Sequence, residues 1–264
     1  MARYDFIGER HNGATTMTIF VPQHTGKFVP KQIKREGYYD TSHKFPVLML
    51  LHDLGGDCTD WELYGDIARI SEEKQIIIVC PGGETGFYLD TYDSDLWEKQ
   101  IMDVIWQEIE GILPSSARRE DHAIAGIGMG AFGTLRFALR YPQRFAKAAA
   151  FSGICNYPVL YAKDDFPFTV AGIEDIFGPK EAVPGSSYDL MENITRCGDP
   201  KPEFVLSCGK SEDTFDDSVK IRDALTRGGF QTWWRTADGV GNWDFWKNEL
   251  RWAVDWMFPD VSEN

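Results

Sequence analysis

The residues whose types and spacing suggest chemistry surround a turn at residues 123–133, which read AIAGIGMGAFG. Gly126 and Gly130 stand two positions before and two positions after Gly128. This is the spacing of the G-x-S-x-G turn, which presents a serine nucleophile between a strand and a helix. Because Gly128 occupies the central position, the turn has the pattern used for nucleophilic catalysis without a nucleophilic side chain.

A dinucleotide-binding turn is the second interpretation of the same residues. Gly126, Gly128 and Ala131 satisfy G-x-G-x-x-A. That motif also requires an acidic residue about 20 positions further on, at the end of the next strand, to bind the ribose. The next strand-like run ends instead with Ser152 and Gly153. We therefore favour a nucleophile-type turn over a phosphate-binding turn.

The elements that position this turn follow from apolar patterning. Strand-like runs lie at 15–22, 46–52, 75–81, 122–126, 146–153, 203–209 and 230–236. Helical patterns lie at 59–73, 96–112, 129–141, 214–228 and 243–257. Several of the strands are continuously apolar, as expected for parallel strands that are covered on both faces. The alternation predicts an α/β fold with a mostly parallel sheet and helices on both faces.

The domain organisation is predicted to be a single α/β domain over 1–264. A chain of 264 residues with 43% hydrophobic residues can bury a large core, and no linker composition interrupts it. The longest irregular segment, 154–200, is rich in proline and lies between two core strands. We expect it to form a cap or insert over the site.

Composition restricts the classes of partner. The net charge of −14 argues against nucleic acid and anionic membranes, and no window of about 18 apolar residues predicts a membrane span. The first 13 residues lack an apolar signal core. The five cysteines form no C-x-x-C pair and are expected to be reduced thiols, without a zinc site. These features predict a cytoplasmic protein.

Three segments carry a resemblance to a known family: PVLMLLHDLGGDCTDWE, REDHAIAGIGMGAFGTLRFALRYPQRFAKAAAFSG and NWDFWKNELRWAVDWMF. They resemble the esterase D and tributyrin esterase branch of a wider esterase family. That family also includes S-formylglutathione hydrolases, acetyl-xylan and feruloyl esterases, and mycolyltransferases. The resemblance covers about 15–258 and implies an α/β-hydrolase fold. It also implies hydrolysis of esters or thioesters by a serine, an acid and a histidine.

Carried over to this chain, the resemblance puts glycine at two of the three catalytic positions. The family's serine falls on Gly128, and its histidine, in a G-x-H-x-W block, falls on Gly241. The family's acid falls on Glu212, or on Asp213 after a shift of one residue. The resemblance therefore implies an esterase homologue with a degenerate triad.

The oxyanion hole of the family uses backbone N–H groups, which here belong to Leu54 and Met129. Asp53 stands where the family usually has glycine, and its carboxylate would repel a developing oxyanion. His52 is expected to support this loop, and His122 to lie at the strand end opposite the site. The candidates for lining a pocket are His52, Asp53, Trp61, Tyr88 and Trp243.

Other groupings have structural explanations. Asp90, Asp93 and Asp95 suggest a metal site, but they lack the pattern of a calcium loop, so we predict no metal and no cofactor. Six of the nine tryptophans lie between Trp233 and Trp256. They could form a carbohydrate platform, but we favour a stripe of the last helix that faces the core and consists of Trp243, Trp246, Leu250, Val254 and Met257.

The leading prediction is a non-catalytic binding protein of the esterase type. Its partner would be a small ester-like or sugar-derived ligand, or another protein. One alternative is an active carboxylesterase, acting on short-chain or carbohydrate esters or on thioesters, with a non-standard nucleophile. Another alternative is a structural subunit. With each of these functions the protein could form a homo-oligomer.

Overall fold

The computed structural model describes residues 2–10, 13–24, 29–31, 36–40, 42–91, 96–154, 161 and 170–259. For residues 2–10, 13–15, 170 and 171, the description is limited to the backbone. Asp93 and Asp95 of the acidic cluster, Cys155, and 155–160 and 162–169 of the expected cap lie outside the described residues.

The strands in chain order are β1 (Ala2–Arg10), β2 (Gly13–Val21), β3 (Val47–Leu51), β4 (Ile77–Pro81), β5 (His122–Ile127), β6 (Lys147–Phe151), β7 (Glu203–Gly209) and β8 (Thr232–Ala237). They form one eight-stranded sheet in the order β1-β2-β4-β3-β5-β6-β7-β8. Pairing is antiparallel for β1–β2 and β2–β4 and parallel for the other neighbours. The mostly parallel sheet predicted from the apolar runs is confirmed.

The first strand was not predicted. β1 pairs along its whole length with β2, and the chain reverses between Arg10 and Gly13. Its sequence, ARYDFIGER, contains four charged residues and one glycine, so it lacks the continuous apolar run by which we recognised the other strands. An edge strand of this kind is defined by its partner and not by its own composition.

The helices are α1 (Asp60–Tyr64), α2 (Ile67–Lys74), α3 (Trp97–Lys99), α4 (Trp106–Ile112), α5 (Met129–Arg140), α6 (Val170–Phe177), α7 (Leu190–Arg196), α8 (Phe215–Arg227) and α9 (Trp243–Met257). A π-helical stretch, Gln100–Ile105, joins α3 to α4. The single helix predicted over 59–73 is instead two helices. Asp66 takes a left-handed conformation with φ 57° and breaks the first from the second.

Alternate residues of the central strands belong to two hydrophobic cores, one on each face of the sheet. Met49 and Leu51 of β3 pack with α5 on one face. Leu48 and Leu50 pack with α2 and α9 on the other face. This alternation is the two-residue period of a strand covered on both sides, and it fixes the strand ends around which the site is built.

The described part of the expected cap belongs to the main core. Ile173 and Phe177 of α6, and Leu190 and Ile194 of α7, are buried against the same cluster as α5. α7 also contacts α5 and α8 directly. These two helices therefore pack on the α5 side of the sheet as part of the main core.

Candidate functional site at the β5–α5 turn

The turn between β5 and α5 is as tight as the glycine spacing predicts. Gly128 has φ 52° and ψ −112°. A Cβ atom added at Gly126 would lie 2.4 Å from the Gly130 carbonyl oxygen, and one added at Gly130 would lie 2.4 Å from the Leu51 carbonyl oxygen. Cβ atoms cannot approach backbone so closely, so both flanking positions require glycine. The chain thus has the backbone of a nucleophile turn, with no side chain at its centre.

The two backbone donors assigned to the oxyanion hole converge on a single atom. The Leu54 N–H donates to Asp53 Oδ1 at 2.7 Å, and the Met129 N–H donates to the same oxygen at 2.8 Å. Two backbone donors aimed at one point are the arrangement that stabilises an oxyanion. In this chain the oxyanion is the protein's own carboxylate.

The carboxylate of Asp53 also fills the space next to Gly128. A Cβ atom at residue 128 would lie 1.8 Å from Asp53 Oδ1, 2.3 Å from Cγ and 2.6 Å from Oδ2. A side chain at 128 and this position of Asp53 therefore exclude each other. Sequence reasoning placed the carboxylate beside the hole, and the structure places it inside.

The environment of Asp53 opposes its charge. Burial raises the pKa of Asp53 above its ordinary value, and the negative charges of Asp60 and Glu212 raise this pKa further. The hydrogen bonds from Met129 and Leu54 favour the ionised form and limit the rise in pKa. The Asp53 carboxylate is therefore anchored by two donors in a region that is otherwise negative.

Of the two acid candidates, Glu212 lies in the site. Its Oε1 accepts the Gly209 N–H at 2.6 Å and the Ser152 hydroxyl at 2.9 Å. Asp213, the next residue, is exposed. The structure thus brings Glu212 to the end of β7, where the family's acid is expected.

The space beside Glu212 is filled by Ser152 and Trp246, both of which sequence reasoning left out of the site. A Cβ atom added at Gly241 would lie 2.6 Å from Ser152 Oγ, 2.8 Å from Trp246 Nε1 and 2.9 Å from Glu212 Oε1. Trp246 Nε1 donates to Ser152 Oγ at 2.9 Å, and Ser152 in turn donates to Glu212. A side chain at 241 would therefore displace this hydrogen-bonded chain.

Ser152 is held by more than its side chain. It follows β6 with φ 50°, a conformation uncommon for a residue other than glycine, and its N–H donates to the Ser207 carbonyl at 2.8 Å. This left-handed backbone could not be predicted from the sequence, although Ser152 itself stands at the end of the strand-like run 146–153.

His52 supports the loop, as the resemblance implies. Its Nε2 accepts the Gly83 N–H at 2.9 Å, so Nδ1 carries the proton and donates to the Asp53 carbonyl at 2.7 Å. Burial lowers the pKa of His52 below its ordinary value, so the ring stays neutral. Tyr88 donates its hydroxyl to the His52 carbonyl at 3.1 Å.

Three of the expected pocket-lining residues lie behind the site. His52, Tyr88 and Trp61 are each at most 1% exposed, and Trp61 Nε1 donates to the Leu51 carbonyl at 3.1 Å. They hold the β3 end in place, and their burial contributes to its stability. Their role in lining a ligand pocket stays a prediction.

Trp243 is the expected lining residue that lies nearer the surface. It is partly buried and meets Trp61 at 5.3 Å and Trp246 at 5.5 Å between ring centroids, both nearly edge to face. Tyr64, half exposed, packs against its other side at 5.0 Å. Further along α9, Leu250, Val254 and Met257 are buried in the core, as the helix-stripe interpretation predicts.

The other candidate groups lie elsewhere. His122 begins β5 at the opposite strand end, where its Nε2 lies 2.6 Å from the Ser116 carbonyl. Among the described residues, no three His, Cys, Asp or Glu side chains are placed to hold a metal ion. The described cysteines, Cys58, Cys80, Cys197 and Cys208, are free thiols. No helix in the described ranges has the length and apolar character needed to span a bilayer.

Comparison with known families matches residues 31–253 to one described as "Putative esterase". The chain belongs to this family. Its fold is the α/β-hydrolase fold: the fluorophosphonate-binding serine hydrolase F of Staphylococcus aureus superposes with a TM-score of 0.83 at 23% identity, over 98% of both chains. The S-formylglutathione hydrolase of the same organism gives a TM-score of 0.81 at 23% identity, over 97% of this chain and 98% of the other.

Among the sequence relatives of this esterase-family chain is an acetyl esterase of Caldicellulosiruptor saccharolyticus. The two are 25% identical over 224 residues, which is 82% of this chain and 84% of the relative. The expectation of an esterase-family protein, formed from the turn and the segments around it, is confirmed.

Proposed function

We propose that this esterase-family protein does not hydrolyse esters and acts by binding a small ester-like or sugar-derived ligand near Gly128. The observation that carries the proposal is the position of Asp53, whose Oδ1 takes both backbone donors of the oxyanion hole at 2.7 and 2.8 Å. In addition, Gly128 and Gly241 stand at the family positions of the nucleophile and of the base, so neither position has a side chain for these roles.

An ester carbonyl would have to displace the Asp53 carboxylate from the two backbone donors. Acyl transfer requires the N–H donors to face the oxygen on which negative charge develops. Here a substrate oxygen would have to replace a carboxylate held by two charge-assisted hydrogen bonds, each worth about 1.5–3 kcal/mol. A developing oxyanion beside the displaced carboxylate would also meet its charge and that of Glu212. Binding of a ligand that leaves Asp53 in place avoids both penalties.

An active carboxylesterase is the second candidate, because one contact favours it. Ser152 Oγ lies 2.9 Å from Glu212 Oε1, so a hydroxyl is paired with a carboxylate that could take its proton. Two features oppose this candidate. Ser152 Oγ also accepts from Trp246 Nε1, and the two donors that would stabilise the acyl intermediate are taken by Asp53.

The test is hydrolysis of p-nitrophenyl acetate and butyrate by the purified native protein, with Ser152→Ala as the matched variant. A fluorophosphonate probe measures covalent labelling in parallel. We expect hydrolysis at the background rate and no labelling for both proteins. Turnover and labelling that vanish in Ser152→Ala would overturn the proposal in favour of the carboxylesterase.

The binding half of the proposal has its own measurement. A panel of short esters and of mono- and disaccharides should contain compounds that raise the melting temperature of the native protein in a concentration-dependent way. Asp53→Gly opens the space beside Gly128 and should change which compounds act. If no compound acts on the native protein, the small-ligand proposal fails, and a protein partner or a structural role replaces it. Size-exclusion chromatography then tests for a homo-oligomer.

We also propose a cytoplasmic location. The support is the cysteine chemistry: two of the free thiols, Cys80 and Cys208, are buried, and burial raises the pKa of each. Buried thiols of raised pKa are inert structural groups, as is usual in a reducing compartment. Fractionation of cells that express the full chain checks the location.

A further inference from the structure

A cavity of about 320 Å³ lies where the start of α2 meets the middle of α9, apart from the site at Gly128. Its lining residues are Gly65, Asp66, Arg69, Ile70, Lys247, Asn248 and Arg251. Cavities of roughly 300–1,000 Å³ are the size class that binds small molecules in proteins. The volume is therefore sufficient for a small ligand.

The charges around this cavity, which we call the α2–α9 cavity, favour an anion. Three lining side chains are cationic, Arg69, Lys247 and Arg251, and one is anionic, Asp66. The Lys247 Nζ lies 4.0 Å from Asp66 Oδ2, at the outer limit of an ion pair. Two further carboxylates contact these cations: Glu73 pairs with Arg69 and Arg251, and Asp255 lies 4.0 Å from Arg251 Nε and pairs with Lys74. With Lys74 included, the cations still exceed the carboxylates by one, which is a local positive excess in a chain of net charge −14.

Glu73, which is not a lining residue, orients two of these cations. Its Oε1 lies 2.6 Å from Arg69 Nε, and its Oε2 contacts Arg251 Nη1. Burial acts to raise the pKa of Glu73, but hydrogen bonds and charges from both arginines outweigh it and hold the pKa below its ordinary value. A guanidinium has five N–H donors, so Arg251 has donors beyond the one used on Glu73.

The start of α2 adds partial positive charge at the same place. Asp66 precedes the helix in a left-handed conformation, and its side chain makes no capping hydrogen bond. The first N–H groups of a helix have no partner within the helix and carry the positive end of its dipole. Because Gly65 and Asp66 line the cavity, this end of α2 lies beside it.

We propose that the α2–α9 cavity binds the phosphate group of a small phosphorylated molecule. A planar guanidinium matches two oxygens of a phosphate, a lysine supplies a point charge, and a helix N-terminus supplies backbone donors. A phosphate fills only part of 320 Å³, and the rest of the cavity receives the organic part of the ligand.

Isothermal titration calorimetry at low ionic strength tests the proposal with two probes, inorganic phosphate and glycerol 3-phosphate. We expect saturable binding to the native protein with one site per chain. Arg251→Gln and Lys247→Gln should each weaken it by about tenfold or more, the effect of losing one charged hydrogen bond. Lys220→Gln, which removes an exposed lysine on α8, should leave the affinity unchanged.

The outcomes that overturn the proposal are distinct. Absence of saturable binding to both probes removes it, and equal weakening by Lys220→Gln shows general charge attraction. Lys247→Gln leaves the Glu73 contacts intact, so its result stands even if Arg251→Gln disturbs the packing of α9. Sedimentation with phosphatidic acid vesicles tests a lipid source of the phosphate, and binding there alone rejects a small molecule. All of these measurements are independent of ester hydrolysis.

Discussion

Oδ1 of Asp53 accepts the N–H of Met129, 76 residues further along the chain, at 2.8 Å. This bond ties the loop after β3 to the first residue of α5. The Leu54 N–H reaches the same oxygen at 2.7 Å. One carboxylate oxygen thus connects the two segments that form an oxyanion hole in related hydrolases, and several properties of the protein should depend on it.

The first prediction concerns the exclusion between Asp53 and a side chain at 128. Gly128→Ser should destabilise the protein, because the new Cβ would lie 1.8 Å from Asp53 Oδ1, so that the carboxylate must leave its two backbone donors, and because non-glycine backbone strain costs about 1–3 kcal/mol. In an Asp53→Gly background the loss should be smaller by about 1–3 kcal/mol, the coupling expected of residues in contact. Urea unfolding of the four proteins of this cycle measures the coupling.

Gly198→Ser is the matched control for that cycle, since a Cβ atom added at Gly198 meets nothing within 4 Å. Its effect on the free energy of unfolding should be small and the same in both backgrounds. Additive effects of Gly128→Ser and Asp53→Gly would mean that the carboxylate does not occupy the space beside residue 128.

The second prediction is a pH dependence of stability that belongs to Asp53. Its pKa in the folded protein is raised above the ordinary 3.8, first by burial, so between these two values the folded state binds more protons than the unfolded state. Stability contributed by this group therefore falls as pH rises from 3.8 to the raised pKa. Asp53→Asn does not titrate and keeps an acceptor oxygen for the two N–H groups.

The measurement is the difference in free energy of unfolding between native protein and Asp53→Asn across this pH range. We expect the native protein to lose stability relative to the variant as pH rises. A difference that does not vary with pH would show that folding leaves the pKa of Asp53 unchanged, and a difference that varies in the opposite sense would show that folding lowers this pKa.

The third prediction concerns the chain from Trp246 through Ser152 to Glu212. Ser152→Ala leaves the Trp246 N–H without its acceptor and removes the hydroxyl donor of Glu212, so it should cost about 1–3 kcal/mol of stability. Ser152→Gly loses the same bonds, but φ 50° suits glycine, so its loss should be the smaller one. Chemical unfolding of both variants compares them, and a larger loss in the glycine variant would contradict the strained backbone.

The fourth prediction concerns a buried ion-pair network at the other end of α5. Glu98 is paired with Arg136 at 2.6 Å and with Arg140 at 2.8 Å, and it accepts the hydroxyl of Tyr141 at 2.8 Å. The Arg136 and Glu98 side chains are 1% and 6% exposed. Glu98→Gln should therefore destabilise the protein by about 3–5 kcal/mol, because it leaves a buried guanidinium without its counter-charge.

The control for Glu98→Gln is Lys220→Gln, which breaks an exposed pair with Asp217 and should change stability by less than about 1 kcal/mol. Thermal and urea unfolding measure both variants. Similar small losses for the two would mean that the network at Glu98 is as well solvated as a surface pair.

The central sheet could be predicted from the sequence because its strands are continuously apolar. β5 and its turn, for example, carry both a buried apolar run and glycines spaced as in a nucleophile-type turn. β1 could not be predicted in the same way, because its apolar and charged residues alternate only over 2–6 and form no continuous apolar run. The strand is defined by pairing with β2. The break at Asp66 was also missed, since left-handed conformations of single residues leave little trace in composition.

For the site, the sequence predicted positions and the structure supplied orientations. The structure brings Gly128, Leu54 and Met129 together around Asp53, and Glu212 to Ser152; their assignment to the family's catalytic positions stays a prediction. The sequence could not predict that the Asp53 side chain turns back into the oxyanion hole, because the spacing of residues along the chain does not determine the orientation of a side chain. The contact between Ser152 and Trp246 could not be predicted for a related reason: the two residues lie 94 positions apart, and only the packing of β6 against α9 brings them together.

The exclusion between Asp53 and residue 128 also restricts the order in which mutations can accumulate. A serine at 128 fits only where Asp53 has been replaced or has taken another rotamer, and an aspartate at 53 in this rotamer fits only where residue 128 is glycine. Gly128→Ser alone therefore displaces the Asp53 carboxylate from its two backbone donors, whereas Asp53→Gly alone meets no such clash. Selection for ester hydrolysis would thus favour a change at position 53 followed by one at position 128.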